Sequence, residues 1–128
     1  MQFKFDNTSN SPVYQQLIDQ VKRQIALAKI TPGEKLPTVR QLAASLVINP
    51  NTIAKAYKQL EREGIIETRP GAGTFAAKLS SNLSGSVKKR ILTEKIELTV
   101  IEAIHMGIDR HTLAEWFGKA IEKFKLKD

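Results

Sequence analysis

Helix-start and helix-stop signals crowd the first 76 residues so closely that only short helices and one hairpin fit between them. Ser11-Pro12 opens the first helix. Serine can cap free N–H groups, and proline suits the first helical position because its missing N–H has no partner there. Val13, Leu17, Ile18, Val21, Ile25 and Ala28 then recur at helical spacing, up to the breaker Thr31-Pro32-Gly33. Leu36-Pro37-Thr38 leads into a short second helix, where Thr38 and Gln41 form a capping-box pattern and Val39, Leu42, Ala43 and Leu46 supply a buried face. Val47-Ile48 is the turn, and Asn49-Pro50 repeats the cap-plus-proline signal. The third helix turns Ile53, Ala56, Tyr57 and Leu60 inward and closes at Gly64.

After Gly64 the period changes. Ile65-Ile66-Glu67-Thr68-Arg69 reads as a strand, Pro70-Gly71-Ala72-Gly73 as a tight turn and Thr74-Phe75-Ala76-Ala77 as the returning strand. Ser80 to Ser86 is small and polar, which places a linker at 79–86. Val87, Ile91, Leu92, Ile96, Leu98, Ile101 and Ile104 predict a long helix over 87–106 with a broad apolar face, ended by Gly107. Asp109 caps a last helix, with Ile108 and Leu113 spaced for a hydrophobic staple. Leu113, Trp116, Phe117, Ala120, Ile121 and Phe124 follow in it at spacings of three and four. The expected fold is mainly α with a small β-hairpin. It comprises a winged helix-turn-helix domain over 1–78, a linker over 79–86 and a two-helix dimerisation tail over 87–128.

The charge agrees with a polyanionic partner: the 128 residues carry a net +7. Residues 1–78 hold 11 Lys/Arg against 6 Asp/Glu, and residues 79–128 hold 9 against 7, so most of the excess lies in the helix–hairpin region. With no cysteine, disulfides and thiolate metal sites are excluded, and a reducing compartment is expected. The N-terminus lacks the apolar run of a signal peptide, and no stretch approaches the roughly 18 apolar residues of a membrane span. The expected location is the cytoplasm. His105 and His111 stand apart from any Asp/Glu/Cys cluster, so no metal is expected. No residue pattern points to a cofactor or to a particular small-molecule effector. Catalysis finds no support either: no serine or threonine lies in a nucleophile motif, and Glu61 and Glu63 sit on opposite sides of a helix.

In a helix-turn-helix the second helix of the pair enters the DNA major groove, which here is the helix beginning at Asn49. Asn49, Asn51 and Thr52 in its first turn are short and polar. Asparagine can pair bidentately with adenine, threonine can meet a base or a phosphate, and the helix N-terminus favours phosphate. One turn on, Lys55 and Lys58 can reach the backbone of the duplex. Plain helix capping accounts for the Asn/Thr cluster taken alone, and a solvated face for the lysines. The ordered surroundings favour DNA.

Those surroundings resemble the bacterial GntR-type regulators. The stretch Ile30-Thr31-Pro32-Gly33-Glu34-Lys35-Leu36-Pro37-Thr38-Val39-Arg40-Gln41-Leu42-Ala43 looks like the opening of their DNA-binding domain. Asn49-Pro50-Asn51-Thr52, Tyr57, Leu60-Glu61-Arg62-Glu63-Gly64 and the wing-like Gly71-Ala72-Gly73-Thr74-Phe75 continue it in order. The resemblance implies a homodimeric transcription regulator, a repressor on a palindromic double-stranded DNA operator. Its contacts would come from Thr38, Arg40, Asn49, Asn51, Thr52, Lys55, Lys58, Arg69, Gly71 and Gly73. Arg40 matches the arginine that reaches DNA from the second helix, and Gly71 the wing tip that approaches the minor groove. Two positions depart from the pattern. Pro50 replaces a base-reading arginine of some relatives, and Ala72 stands where a basic wing residue is frequent, leaving Arg69 to touch phosphate.

The short tail resembles the YtrA-like branch, in which a helical pair serves for dimerisation. Ile91, Leu98, Ile101, Leu113, Trp116, Phe117, Ile121 and Phe124 are the expected dimer interface, since two helices cannot bury both apolar faces on each other. An aromatic ligand pocket is the lesser reading of the same stripe. Two alternatives compete with DNA binding. One is a winged-helix protein–protein interaction module, which the basic excess and the polar start of the third helix disfavour. The other is an amphipathic membrane anchor at 87–106, whose polar face Glu94, Glu97 and Glu102 spoil.

Overall fold

The computed structural model describes residues 2–78 and 83–128, in two units, residues 1–80 and 81–128. Residues 79–82 of the expected linker lie outside the described residues.

In the first unit the elements run α1 (Val13–Ala26), β1 (Lys35–Leu36), α2 (Val39–Leu46), α3 (Pro50–Arg62), β2 (Ile66–Arg69) and β3 (Gly73–Ala76). The helices form where the cap signals place them, with two corrections at α1. Pro12 occupies the cap position itself, with Val13 the first helical residue, and no side chain caps the helix. The helix stops well before Pro32, because Ala28 turns left-handed at φ 59°. At α2 the capping box is complete: the Thr38 hydroxyl oxygen accepts from Gln41 N at 3.1 Å, and Gln41 Oε1 accepts from Thr38 N at 3.0 Å. Asn49 Oδ1 accepts from Asn51 N at 2.8 Å, and Pro50 takes the first helical position of α3.

Leu17, Ile18 and Val21 of α1 meet Ile53, Ala56 and Leu60 of α3 in one core that Leu42, Ile66 and Ala76 complete. Full burial of Ile53 and Leu60 fixes the roll of α3 and so decides which of its side chains face outward. Tyr57 adds a polar tie, its hydroxyl donating to the Pro37 carbonyl at 2.7 Å and locking α3 to the entrance of α2. Burial pushes the Tyr57 pKa up to about 12. A phenol pKa raised above its unfolded value near 10 contributes stability that is intact below pH 10. That contribution is lost as pH rises from about 10 to about 12. Chemical denaturation of Tyr57→Phe is therefore expected to show about 1 kcal/mol lower stability at pH 7 and a flatter decline above pH 10. A parallel alkaline decline in both proteins would remove Tyr57 as its source.

The hairpin is part of a three-stranded antiparallel sheet, order β1-β3-β2, where the sequence predicted two strands. Lys35 pairs with Phe75 and Leu36 with Thr74; across the other edge Ile66 pairs with Ala76 and Arg69 with Gly73. β1 roots the wing in the core through Leu36, which is buried.

An N-terminal arm also lies on α1. Gln16, Gln20 and Gln24 form one stripe of the helix at four-residue spacing. Gln20 Oε1 accepts from Lys4 N at 2.9 Å and its amide donates to Lys4 O; Gln16 makes the same pair with Asp6 at 2.9 and 3.1 Å. Gln24 donates to Gln2 O at 2.8 Å. The alternating Phe3 and Phe5 pack on the edge of the core.

The second unit holds α4 (Gly85–Met106) and α5 (Arg110–Lys123). Ser84 caps α4, so Gly85 and Ser86 of the expected linker are helical. Asp109 Oδ1 accepts from Thr112 N at 2.7 Å and caps α5, a bond that lowers the Asp109 pKa. The expected single apolar face of α4 is not found. Ile91, Leu92, Ile96, Leu98, Ile101 and Ile104 point all round the helix and are exposed. Leu113, Phe117, Ala120 and Phe124 do share one stripe of α5. The two helices do not pack along their lengths. Between them lies an apolar groove of about 460 Å³ lined by Ile96, Val100, Ile104, Leu113 and Phe117.

Candidate nucleic-acid interface

With Ile53, Ala56 and Leu60 inside, α3 presents Asn51, Lys55, Lys58 and Arg62 along its outer stripe, and all four are exposed. The Arg62 contribution was missed by sequence reasoning, although its spacing of four from Lys58 carries the signal. Arg40, in the first turn of α2, is exposed and has no acidic partner among the described residues. The tie from Tyr57 to Pro37 holds this turn against α3.

The caps limit which atoms remain for a partner. Asn49 Oδ1 already accepts from Asn51 N, which uses one of its two lone pairs, so a bidentate pair with adenine would have to share that oxygen with the cap. Asn51 is exposed with its side chain unengaged among the described residues and keeps that capability. Thr38 accepts from Gln41 and retains a hydroxyl proton to donate. Thr52 is half-buried behind the first turn. Lys58 and Lys55 are both exposed, and the Lys55 ammonium sits 3.8 Å from the centre of the Tyr14 ring in α1.

The wing tip is a turn closed by Ala72 N donating to Arg69 O at 3.0 Å. Pro70 fills its second position and Gly71 its third at φ 75°, the type II pattern that requires a residue tolerant of positive φ. Gly71 is exposed at the tip. Gly73 has φ 126°, and a Cβ there would meet Lys35 Cε at 2.8 Å, so the Lys35 side chain lies against the base of the wing. Lys35 was not among the expected contacts because a two-residue strand leaves no periodicity to read.

Arg69 is already engaged. Its guanidinium pairs with Glu67 at 2.6 Å and stacks 4.3 Å from the Phe75 ring centre. Replacing Glu67 by Gln releases the arginine and removes a nearby negative charge. If this surface meets DNA, the variant is expected to bind it tighter by about 0.5–1 kcal/mol, the scale of an exposed ion pair, with a steeper salt dependence. Identical titrations for the two proteins would exclude Arg69 from the contact.

Three helices with an exposed, basic, polar-tipped third helix, backed by a wing rooted in a small sheet, define a winged helix-turn-helix DNA-binding regulator. Residues 13–76 match the bacterial regulatory proteins of the gntR family, and the chain belongs to that family. It is similar to the HTH-type transcriptional repressor YtrA of Bacillus subtilis (strain 168), with 40% identity over 113 residues, 88% of this chain and 87% of YtrA. Its structure is similar to a transcriptional antiterminator from Listeria monocytogenes EGD-e, with a TM-score of 0.86 and 28% identity over 100% of this chain and 96% of the other. A further likeness is to the AraR DNA-binding domain in complex with operator ORX1: TM-score 0.53, 29% identity, 60% of this chain and 96% of that domain. The chain is therefore a DNA-binding transcription regulator, not an enzyme. No helix among the described residues is long and apolar enough to cross a membrane.

Proposed function

We propose that the chain is a repressor that binds a palindromic operator as a homodimer in the cytoplasm. The observation that carries the reading is the outer stripe of α3, Asn51, Lys55, Lys58 and Arg62, beside Arg40, which has no acidic partner among the described residues. That arrangement offers a base-edge reader flanked by phosphate contacts. Similarity to a repressor over nearly the whole chain supports the sign of regulation. The exposed apolar side chains of α4 and α5 support the dimer, whose two-fold axis would set two copies of α3 about 34 Å apart on one face of DNA. Of the expected interface, Ile91, Leu98, Ile101, Trp116, Phe117 and Ile121 are exposed, and Leu113 and Phe124 are half-buried.

The test is an anisotropy titration against the DNA upstream of the chain's own coding region, with random DNA as competitor, over a range of salt. Specific binding is expected to exceed random binding by about a thousandfold or more. Arg40→Ala is expected to cost about 1–3 kcal/mol at fixed salt, as for a bidentate guanidinium contact. Equal, steeply salt-dependent binding of both DNAs would reduce the site to a basic surface.

A further inference from the structure

We propose that Tyr14 is a positioning residue for DNA binding, its ring holding the Lys55 ammonium in the groove between α1 and α3 where it meets one operator phosphate. The inference rests on the DNA-binding reading of α3 and extends the interface to α1. Lys55 shares the outer stripe with Asn51 and Lys58, so its side chain starts on the proposed DNA side of the helix. A lysine there ordinarily samples many rotamers, and docking on a phosphate must freeze them. Here the ammonium is already placed, 3.8 Å from the centre of the Tyr14 ring. The ring is itself fixed, because Tyr14 is half-buried and packs against the core of the domain. A cation over a ring face keeps its whole charge and its outward N–H groups, so positioning costs nothing in attraction for an anion.

The charges around the groove agree. It is lined by Tyr14, Gln15, Lys55, Gln59, Arg62 and Glu63. Its acidic residue, Glu63, stands eight residues from Lys55, about 12 Å of backbone rise. Lys22 binds it at 2.6 Å and Gln59 at 3.0 Å. The ammonium of Lys55 therefore remains available to an outside anion, and a sugar–phosphate backbone running past the start of α3 is the anion that such a groove meets.

The experiment is a double-mutant cycle on the full chain, with the upstream duplex that the parent protein binds as probe and salt as the variable. Lys55→Gln is expected to reduce the slope of log affinity against log salt by about 0.9, one phosphate contact. Tyr14→Leu is expected to weaken binding about two- to fivefold in the parent and to have no effect in the Lys55→Gln background. Tyr14→Phe, which keeps the ring, is expected to bind like the parent. Thermal melting of each variant shows whether it is folded at the titration temperature. Equal weakening by Tyr14→Leu in both backgrounds would make the tyrosine structural and overturn the proposal, as would no weakening in either. An unchanged salt slope for Lys55→Gln beside a reduced one for Lys58→Gln would overturn it while leaving the DNA reading intact. A parent protein with no preference for the upstream duplex would overturn both.

Discussion

A chain with Asp in place of both Phe117 and Ile121 is expected to sediment as a monomer and to bind a two-half-site operator at least about a hundredfold more weakly. Two aspartates in an interface core would be buried without partners, a cost far above the gain from any single contact. The affected surface is α5, whose Leu113, Phe117 and Phe124 share one stripe, together with the exposed apolar side chains around α4. Because α4 and α5 do not pack along their lengths, most of their apolar side chains find little cover in each other. The affinity loss follows from linkage. Once one half-site is held, the second domain of a dimer binds at an effective concentration that raises avidity by about 10²–10⁴, and a monomer forfeits this factor. The first unit is untouched, so contacts within one half-site should persist. Cutting the chain after Lys78 carries the same expectation. A variant that still sediments as a dimer would refute the role of α5.

Leu60→Ala is expected to destabilise the first unit by about 2–5 kcal/mol, the range for a buried leucine that leaves a cavity. Leu60 is fully buried, in the core that joins α3 to α1. A domain of this size has about 5–15 kcal/mol in all, so the loss is a large share. It should appear as a fall in Tm on the order of 10–30 °C. A loss below about 1 kcal/mol would mean that α3 is not anchored as the core implies, and the outward aim of Asn51 and Lys58 would fall with it.

The local parts of this structure were legible in the sequence, and the non-local parts were not. Thr38 and Gln41, Asn49 and Pro50, and Asp109 announce their helix starts because a cap and its targets lie within four residues of each other. The wing turn is legible because Pro70-Gly71 meets a backbone requirement in place. β1 escaped notice because two residues carry no period and pair with a strand some 40 positions away. The N-terminal arm escaped because its partners are helical glutamines, which look like ordinary surface. The end of α1 was misplaced because Ala28, not a glycine, takes the left-handed conformation. At the candidate interface the residue types were legible but their engagements were not. That Arg69 is held by Glu67 and Phe75, or Lys55 by Tyr14, depends on which helices and strands become neighbours. The apolar richness of α4 suggests one face, yet a tally of residues does not say how they are distributed about the axis.

The glutamine stripe on α1 has a practical consequence for experiments that vary ionic strength. Amide side chains carry no charge to screen and no proton to lose across the usual pH range. The arm is thus held by Gln16, Gln20 and Gln24 through bonds indifferent to dissolved ions. Adding salt strips counterion-dependent contacts from the duplex while the arm stays in place, so a salt titration of this protein reports on its phosphate contacts without contamination from a loosening N-terminus.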